Sequence, residues 1–296
     1  MTKLHQNYYS AGEVGMPYGV WLQPYFNGGK QSNYGNASGY RAYTYGFLFG
    51  VDKDINDKWM LGLAAGYAYT LQKSLILSET RAHINNYQLM LYGTRRYEKS
   101  VNLDWSISGG ENFYRGARVA QVESDYMLAS AKYIGQQYSA QAALSKRYNK
   151  CEFDLIPQVN GNLTYAKIPE YVEVGAGSYD NFITANSSTV FTAGAGIQIE
   201  WPQTHSRSNK KVSMIPELHA LVYYDVNMGM FNSLSGFISG APALSNAQST
   251  ARVTWQFGSS FDFKLINQVS IKAEYDIQLK EKYYNNIILL KFKYVF

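Results

Sequence analysis

Apolar residues recur at every second position over unusually long stretches of this chain. Between Val269 and Leu279, the residues Val269, Ile271, Ala273, Tyr275, Ile277 and Leu279 share one face, while Ser270, Lys272, Glu274, Asp276 and Gln278 share the other. A period of two places one oily and one wet face on a β-strand. Residues 251–265 repeat it, with Val253, Trp255, Phe257, Phe261, Phe263 and Leu265 opposed to Arg252, Thr254, Gln256, Ser260, Asp262 and Lys264. The chain ends in the same way: Ile288, Leu290, Phe292, Tyr294 and Phe296 alternate with a face that carries Lys291 and Lys293. Strands of soluble proteins average about five or six residues. Runs of about 10 to 15 fit a tilted membrane crossing with an extension, lipid on the apolar side and water on the polar one.

Alternation predicts twelve strands, at 19–29, 40–51, 59–73, 82–97, 101–114, 131–148, 152–167, 188–201, 212–226, 251–265, 269–279 and 288–296. The connections at 52–58, 98–100, 149–151, 202–210 and 266–268 are short, and those at 30–39, 74–81, 115–130, 168–187 and 227–248 are mostly longer; 281–285 is the exception in length. Short turns alternating with long loops are the periplasmic and extracellular connections of an outer-membrane barrel, and an even strand number puts both chain ends on the periplasmic side. The expected fold is all-β, a twelve-stranded antiparallel transmembrane β-barrel over 19–296. Residues 1–18 form a leader, read as a short helical turn, a disordered tail or a segment in or near the lumen.

Composition narrows this further. Hydrophobic residues make up 46% and charged residues 17% of the chain, enough for a folded protein. No run of about 18 apolar residues offers a transmembrane helix. Aromatics reach 16%, with 27 tyrosines, which suit the girdles where a barrel meets the headgroups. The net charge of +5 is not gathered into a basic stripe, so no nucleic-acid groove is expected. The single Cys151 forbids an internal disulfide. Met1 to Met16 contains Lys3, His5, Gln6, Asn7 and Glu13 and no apolar signal core, so the chain is expected to be a fragment or mature form of an exported protein.

The segment Gly46-Phe47-Leu48-Phe49-Gly50-Val51-Asp52, followed by Gly62 and then Gly66-Tyr67, resembles the translocator barrel of bacterial autotransporters, the type V secretion proteins, which carry a G-x-x-x-G-x-D strand and turn. The match continues through Tyr87, Tyr92-Gly93, Pro157, Gly194, Gly196, Pro216, Tyr275-Asp276 and the aromatic terminus, covering 18–296; Leu289-Leu290 stands where many members have a glycine. The resemblance implies a cofactor-free, monomeric anchor in the lipid and lipopolysaccharide of a Gram-negative outer membrane. It also implies export of an N-terminal passenger absent from this chain, and recognition of Phe292, Tyr294 and Phe296 by the barrel-assembly machinery. Gly46, Gly50, Gly62 and Gly66 fall on the inward parity of two adjacent strands. They either leave room for something passing close to the wall or relieve crowding at a bend.

Chemistry is sparse. Asp52 to Asp57 opens like a calcium loop, but Asp57 holds the glycine position and Leu63 the position of the bidentate Glu. Glu217 and His219 share an inward face and would form an acid/base pair, yet a polar lumen carries such groups as lining. With Arg252, Lys264, Lys272 and Glu274 they are expected to line the lumen. The four histidines, His5, His83, His205 and His219, show no hydrolase or metal-ligand spacing, so no enzyme, cofactor or metal is expected. Twelve strands spaced at about 4.8 Å and tilted near 40° give a backbone cylinder about 24 Å across. Inward side chains reduce it to about 10 Å, wide enough for a helix or an extended hairpin but not a folded domain. A passive porin-like channel is the alternative function, and a surface barrel whose loops bind host molecules is a third.

Overall fold

The computed structural model describes residues 18–33, 38–75, 80–122, 125–201, 212–229, 232–237, 243–246, 251–265 and 268–296. Apart from Tyr18, the expected leader lies outside the described residues, as does the 202–210 turn. Twelve strands build the wall: β1 (Tyr18–Gln31), β2 (Tyr40–Asn56), β3 (Trp59–Ser74), β4 (Arg81–Tyr97), β5 (Val101–Val122), β6 (Asp125–Lys146), β7 (Asp154–Ile168), β8 (Asn186–Glu200), β9 (Val212–Gly229), β10 (Val253–Leu265), β11 (Val269–Lys280) and β12 (Tyr283–Val295). Each pairs antiparallel with the next. β12 then pairs with β1, from Gly19 opposite Val295 to Gln31 opposite Tyr283, which closes the sheet. Closure satisfies the backbone groups of both outer strands, the condition for a sheet to cross lipid. That seam ladder skips Gln23 and Pro24, where proline has no N–H to give.

The two faces invert the rule of a soluble protein. Phe49, Leu63, Ile107, Trp255 and Ile288 are exposed on the outside, and Leu89 is 70% exposed, whereas Gln256, Ser260, Asp276 and Asn285 are buried inside. Only a lipid surround makes that arrangement stable. Outward rings touch in sequence across five strands: Phe26 and Tyr45 at 5.0 Å, Phe47 and Tyr67 at 6.2 Å, Tyr67 and Tyr87 at 5.2 Å, Tyr87 and Phe113 at 5.7 Å. At the opposite rim, cations cover rings, Arg95 over Trp59 at 5.0 Å and Lys53 over Tyr18 at 4.6 Å. These two belts mark the membrane boundaries.

Three expectations are corrected. The loop anticipated at 115–130 is mostly strand: pairing of β5 with β6 runs unbroken from Arg115 opposite Lys132 to Val122 opposite Asp125. In this hairpin Tyr126, Met127 and Leu128 follow one another, all exposed, so the period-two signal fades while pairing continues. β12 begins at Tyr283 rather than at 288, because Asn285 and Asn286 interrupt the apolar rhythm without interrupting the ladder. The turn left between β11 and β12 carries Lys282 at φ 57°. Finally, the loops at 168–187 and 227–248 contain Tyr171–Val172, Asn181–Ile183, Asn232–Phe237 and Ala243–Asn246, which join into a four-stranded sheet. Arg118 holds this structure to the inner face of the β5–β6 hairpin through Glu173 at 2.6 Å and the Tyr179 carbonyl at 3.0 Å. Tyr171 stacks on Tyr133 at 4.1 Å, and Tyr133 on Tyr114 at 4.7 Å. The loop is thereby drawn toward the extracellular mouth.

Candidate functional site

The lumen wall is built on a repeated device, a large inward side chain lying over a glycine directly across the ladder. Tyr25 pairs with Gly46, Trp21 with Gly50, Tyr92 with Gly62, Leu48 with Gly66 and Tyr223 with Gly194. A Cβ at any of these glycines would meet the opposing side chain well inside contact distance. The inward glycines therefore do not leave open space beside the wall. Without a Cβ beneath it, each large side chain lies along the wall rather than projecting into the bore, which explains why the polar lumen tolerates buried Trp21, Tyr25 and Tyr92.

These rings end in a polar chain that crosses the seam. The Trp21 indole donates to the Tyr92 hydroxyl at 2.6 Å, and that hydroxyl donates to Asp52 at 3.2 Å. Lys293 donates to both Asp52 oxygens, at 2.8 and 3.0 Å, and Lys291 stands over the Trp21 ring at 4.8 Å. Gly46, Gly50 and Asp52 thus meet β1 and β12 as one unit: two platforms for rings and one acceptor. Phe296 continues the closure, since its N–H donates to the Tyr18 carbonyl at 3.0 Å and its ring stacks on Tyr18 at 6.2 Å. Phe292 and Tyr294 face outward. Tyr67 and Tyr275 also face outward, bonded to Asn85 at 2.7 Å and Asn286 at 2.8 Å, while Asp276 points in.

The opposite side of the seam carries a charged quilt. Lys272 bridges Glu217 and Glu274, each at 3.1 Å, and Ser260 donates to Glu217 at 3.0 Å. His219 lies between Glu217 at 3.1 Å and Asp276 at 2.8 Å, and Gln256 donates to Asp276 at 3.0 Å. Lys264 lies at the periplasmic end of β10, opposite Ser213 and Ser270. Arg252 departs from its expected place: it precedes β10, is exposed, and donates to the Tyr224 hydroxyl at 3.3 Å. Its parity points inward, but the strand stops one residue short of it. Sequence alternation placed these residues on one face but missed Trp21 and Gly258, and it gave Tyr92 only as part of the family match, without its place over Gly62. The available signal was inward aromatics opposite spaced glycines, which needs the register to be read.

Apolar outside, polar inside and closed, the wall defines a transmembrane β-barrel of the outer-membrane type. The family model described as "Autotransporter beta-domain" matches residues 20–276, and the chain belongs to that family. It is an outer-membrane translocator barrel. Among its relatives, Outer membrane protein B of Rickettsia prowazekii is 24% identical over 289 residues, covering 93% of this chain and 17% of that protein. Outer membrane protein B of Rickettsia conorii is 22% identical over 276 residues, covering 90% and 16%. The chain thus spans about a sixth of the length of these relatives. The translocator domain of autotransporter NalP from Neisseria meningitidis superposes with a TM-score of 0.76 at 14% identity, over 95% of this chain and 89% of that one. The β-domain of the Bordetella autotransporter BrkA superposes with 0.71 at 13% identity, over 95% and 100%.

Proposed function

We propose that this barrel carries a passenger, attached ahead of residue 1, through its lumen to the cell surface as an extended chain, hairpin or helix. The observation that carries the proposal is the wall itself, with large side chains folded flat over glycines and polar groups tied to one another. Such a wall gives a moving polypeptide few unpaired partners to stick to. No nucleotide-binding motif accompanies it, so folding of the passenger outside is the expected source of direction.

Several finer features belong to the same reading. The leader occupies the lumen when transport ends. Phe292, Tyr294 and Phe296 present the assembly machinery with an outward aromatic row. A closed ring has no free edge to share and supports a monomer in lipid and lipopolysaccharide. The chain acts as conduit and anchor, not as an enzyme. The test is a passenger fused upstream behind a signal peptide. An unfolded passenger should become accessible to protease on intact cells, and a disulfide-locked one should stall. If no passenger ever reaches the surface although the barrel folds, the passive-channel reading replaces this one.

A further inference from the structure

We propose that His219, Glu274 and Asp276 form a divalent-cation site in the barrel wall, of the zinc class. One potential ligand atom from each of the three lies within 4.8 Å of the other two, and all three residues are buried. They come from neighbouring rungs of β9 and β11: His219 is opposite Gly258, and Gly258 is opposite Asp276. Gly258 makes their approach possible, because a Cβ there would collide with both Asp276 Oδ1 and His219 Nε2. At that rung the intervening strand contributes no side chain between His219 and Asp276.

The far atom of each residue is already held. His219 Nδ1 faces Glu217 Oε1 at 3.1 Å, Asp276 Oδ2 accepts from Gln256 Nε2 at 3.0 Å, and Glu274 Oε2 pairs with Lys272 at 3.1 Å. Metal-bound imidazoles and carboxylates are oriented by outer partners of this kind, the carboxylate behind the histidine above all. What remains is His219 Nε2, Asp276 Oδ1 and Glu274 Oε1. The first two touch at 2.8 Å, and Glu274 Oε1 is buried with no hydrogen-bond partner. The bonds among Glu217, His219, Lys272 and Asp276 leave that oxygen without a partner, and burying an unpaired carboxylate oxygen is costly. Ligand atoms around an ion at about 2.1 Å stand roughly 3.0 to 3.4 Å apart, so the His219–Asp276 contact needs only a small opening. One imidazole nitrogen and two carboxylate oxygens suit Zn²⁺, with Mn²⁺ and Fe²⁺ next. The ion would tie β9 to β11 across β10. Sequence spacing conceals the set because His219 and Asp276 are 57 positions apart.

The test is to refold the full 296-residue chain in detergent with Zn²⁺, remove loose metal on a chelating column, and measure metal per barrel. One equivalent is expected to remain. Glu274→Gln and His219→Gln should each weaken zinc binding by more than about a hundredfold, and Glu217→Gln, which removes only the outer partner, by about tenfold to a hundredfold. Heat-modifiable gel mobility identifies variants that still fold. If neither ligand variant folds, Co²⁺ in the wild-type barrel decides, since bound cobalt must show a spectrum distinct from the aqueous ion. Absence of retained zinc, an aqueous cobalt spectrum, or zinc retained equally by both ligand variants overturns the proposal; the last outcome would assign the metal to His5, His83 or His205.

Discussion

At the scale of single residues, the glycines are where this barrel is least forgiving. Gly50 has the Trp21 ring against the place a Cβ would occupy, and both belong to adjacent strands whose register is fixed on either side. Gly50→Val should therefore destabilise the barrel by about 1 to 3 kcal/mol, the range for overpacking a filled site, read from denaturant unfolding in detergent by tryptophan fluorescence. Asp52 and Lys293 make a second point. Their side chains are only 9% and 7% exposed, so either one left alone is an unpaired buried charge. Lys293→Met or Asp52→Asn alone should cost about 3 to 5 kcal/mol, while the double variant should recover much of it. Additive losses in the double variant would mean that the two side chains do not act as a pair. The motif read from sequence as Gly46, Gly50, Asp52 was visible as a spacing; the residues that give each member its purpose lie on other strands, Trp21 and Tyr25 on β1 and Lys293 241 positions away on β12.

At the scale of the strand, parity and depth together decide what a substitution does. Leu91 lies on the outward face of β4, midway between the Tyr87 ring belt and the Arg95–Trp59 rim, and Gln88 lies inward on the same strand. Leu91→Lys should cost about 2 to 4 kcal/mol and Gln88→Lys little; equal tolerance in refolding titrations would contradict the assigned face. Ile271, though also outward, is the third residue of β11 from its periplasmic start, so charge there should be better tolerated than at Leu91. The terminal strand has a separate role. Phe296 both extends the outward row of Phe292 and Tyr294 and caps the seam on Tyr18. Deleting it should leave more unfolded precursor in the periplasm, and unchanged yields of heat-modifiable barrel would count against this.

For the whole molecule, the informative quantity is the bore. If the leader lies within it, trimming Met1 to Met16 should raise single-channel conductance in planar bilayers. Equal conductance of the trimmed and complete barrels would put the leader outside the lumen. The sheet built from the 168–187 and 227–248 loops stands near the same path at the extracellular end, held by Arg118 and the Tyr114–Tyr133–Tyr171 stack.

The sequence by itself determined that this chain crosses a membrane as strands, how many there are and which face of each meets lipid. Those properties follow from a local period of two, and Val269 to Leu279 displays it without reference to any other segment. It also placed the short turns at 98–100 and 149–151, between strands whose alternation is clear on either side. Only the tertiary structure decided where β5 and β6 end, because beyond the lipid pairing no longer needs alternation. It alone also decided between room and relief of crowding at the inward glycines, making them seats for Trp21, Tyr25 and Tyr92, and brought His219, Glu274 and Asp276 together over Gly258. Each of these depends on the cross-strand register, which is fixed by closure of the whole ring and is carried by no single stretch of sequence.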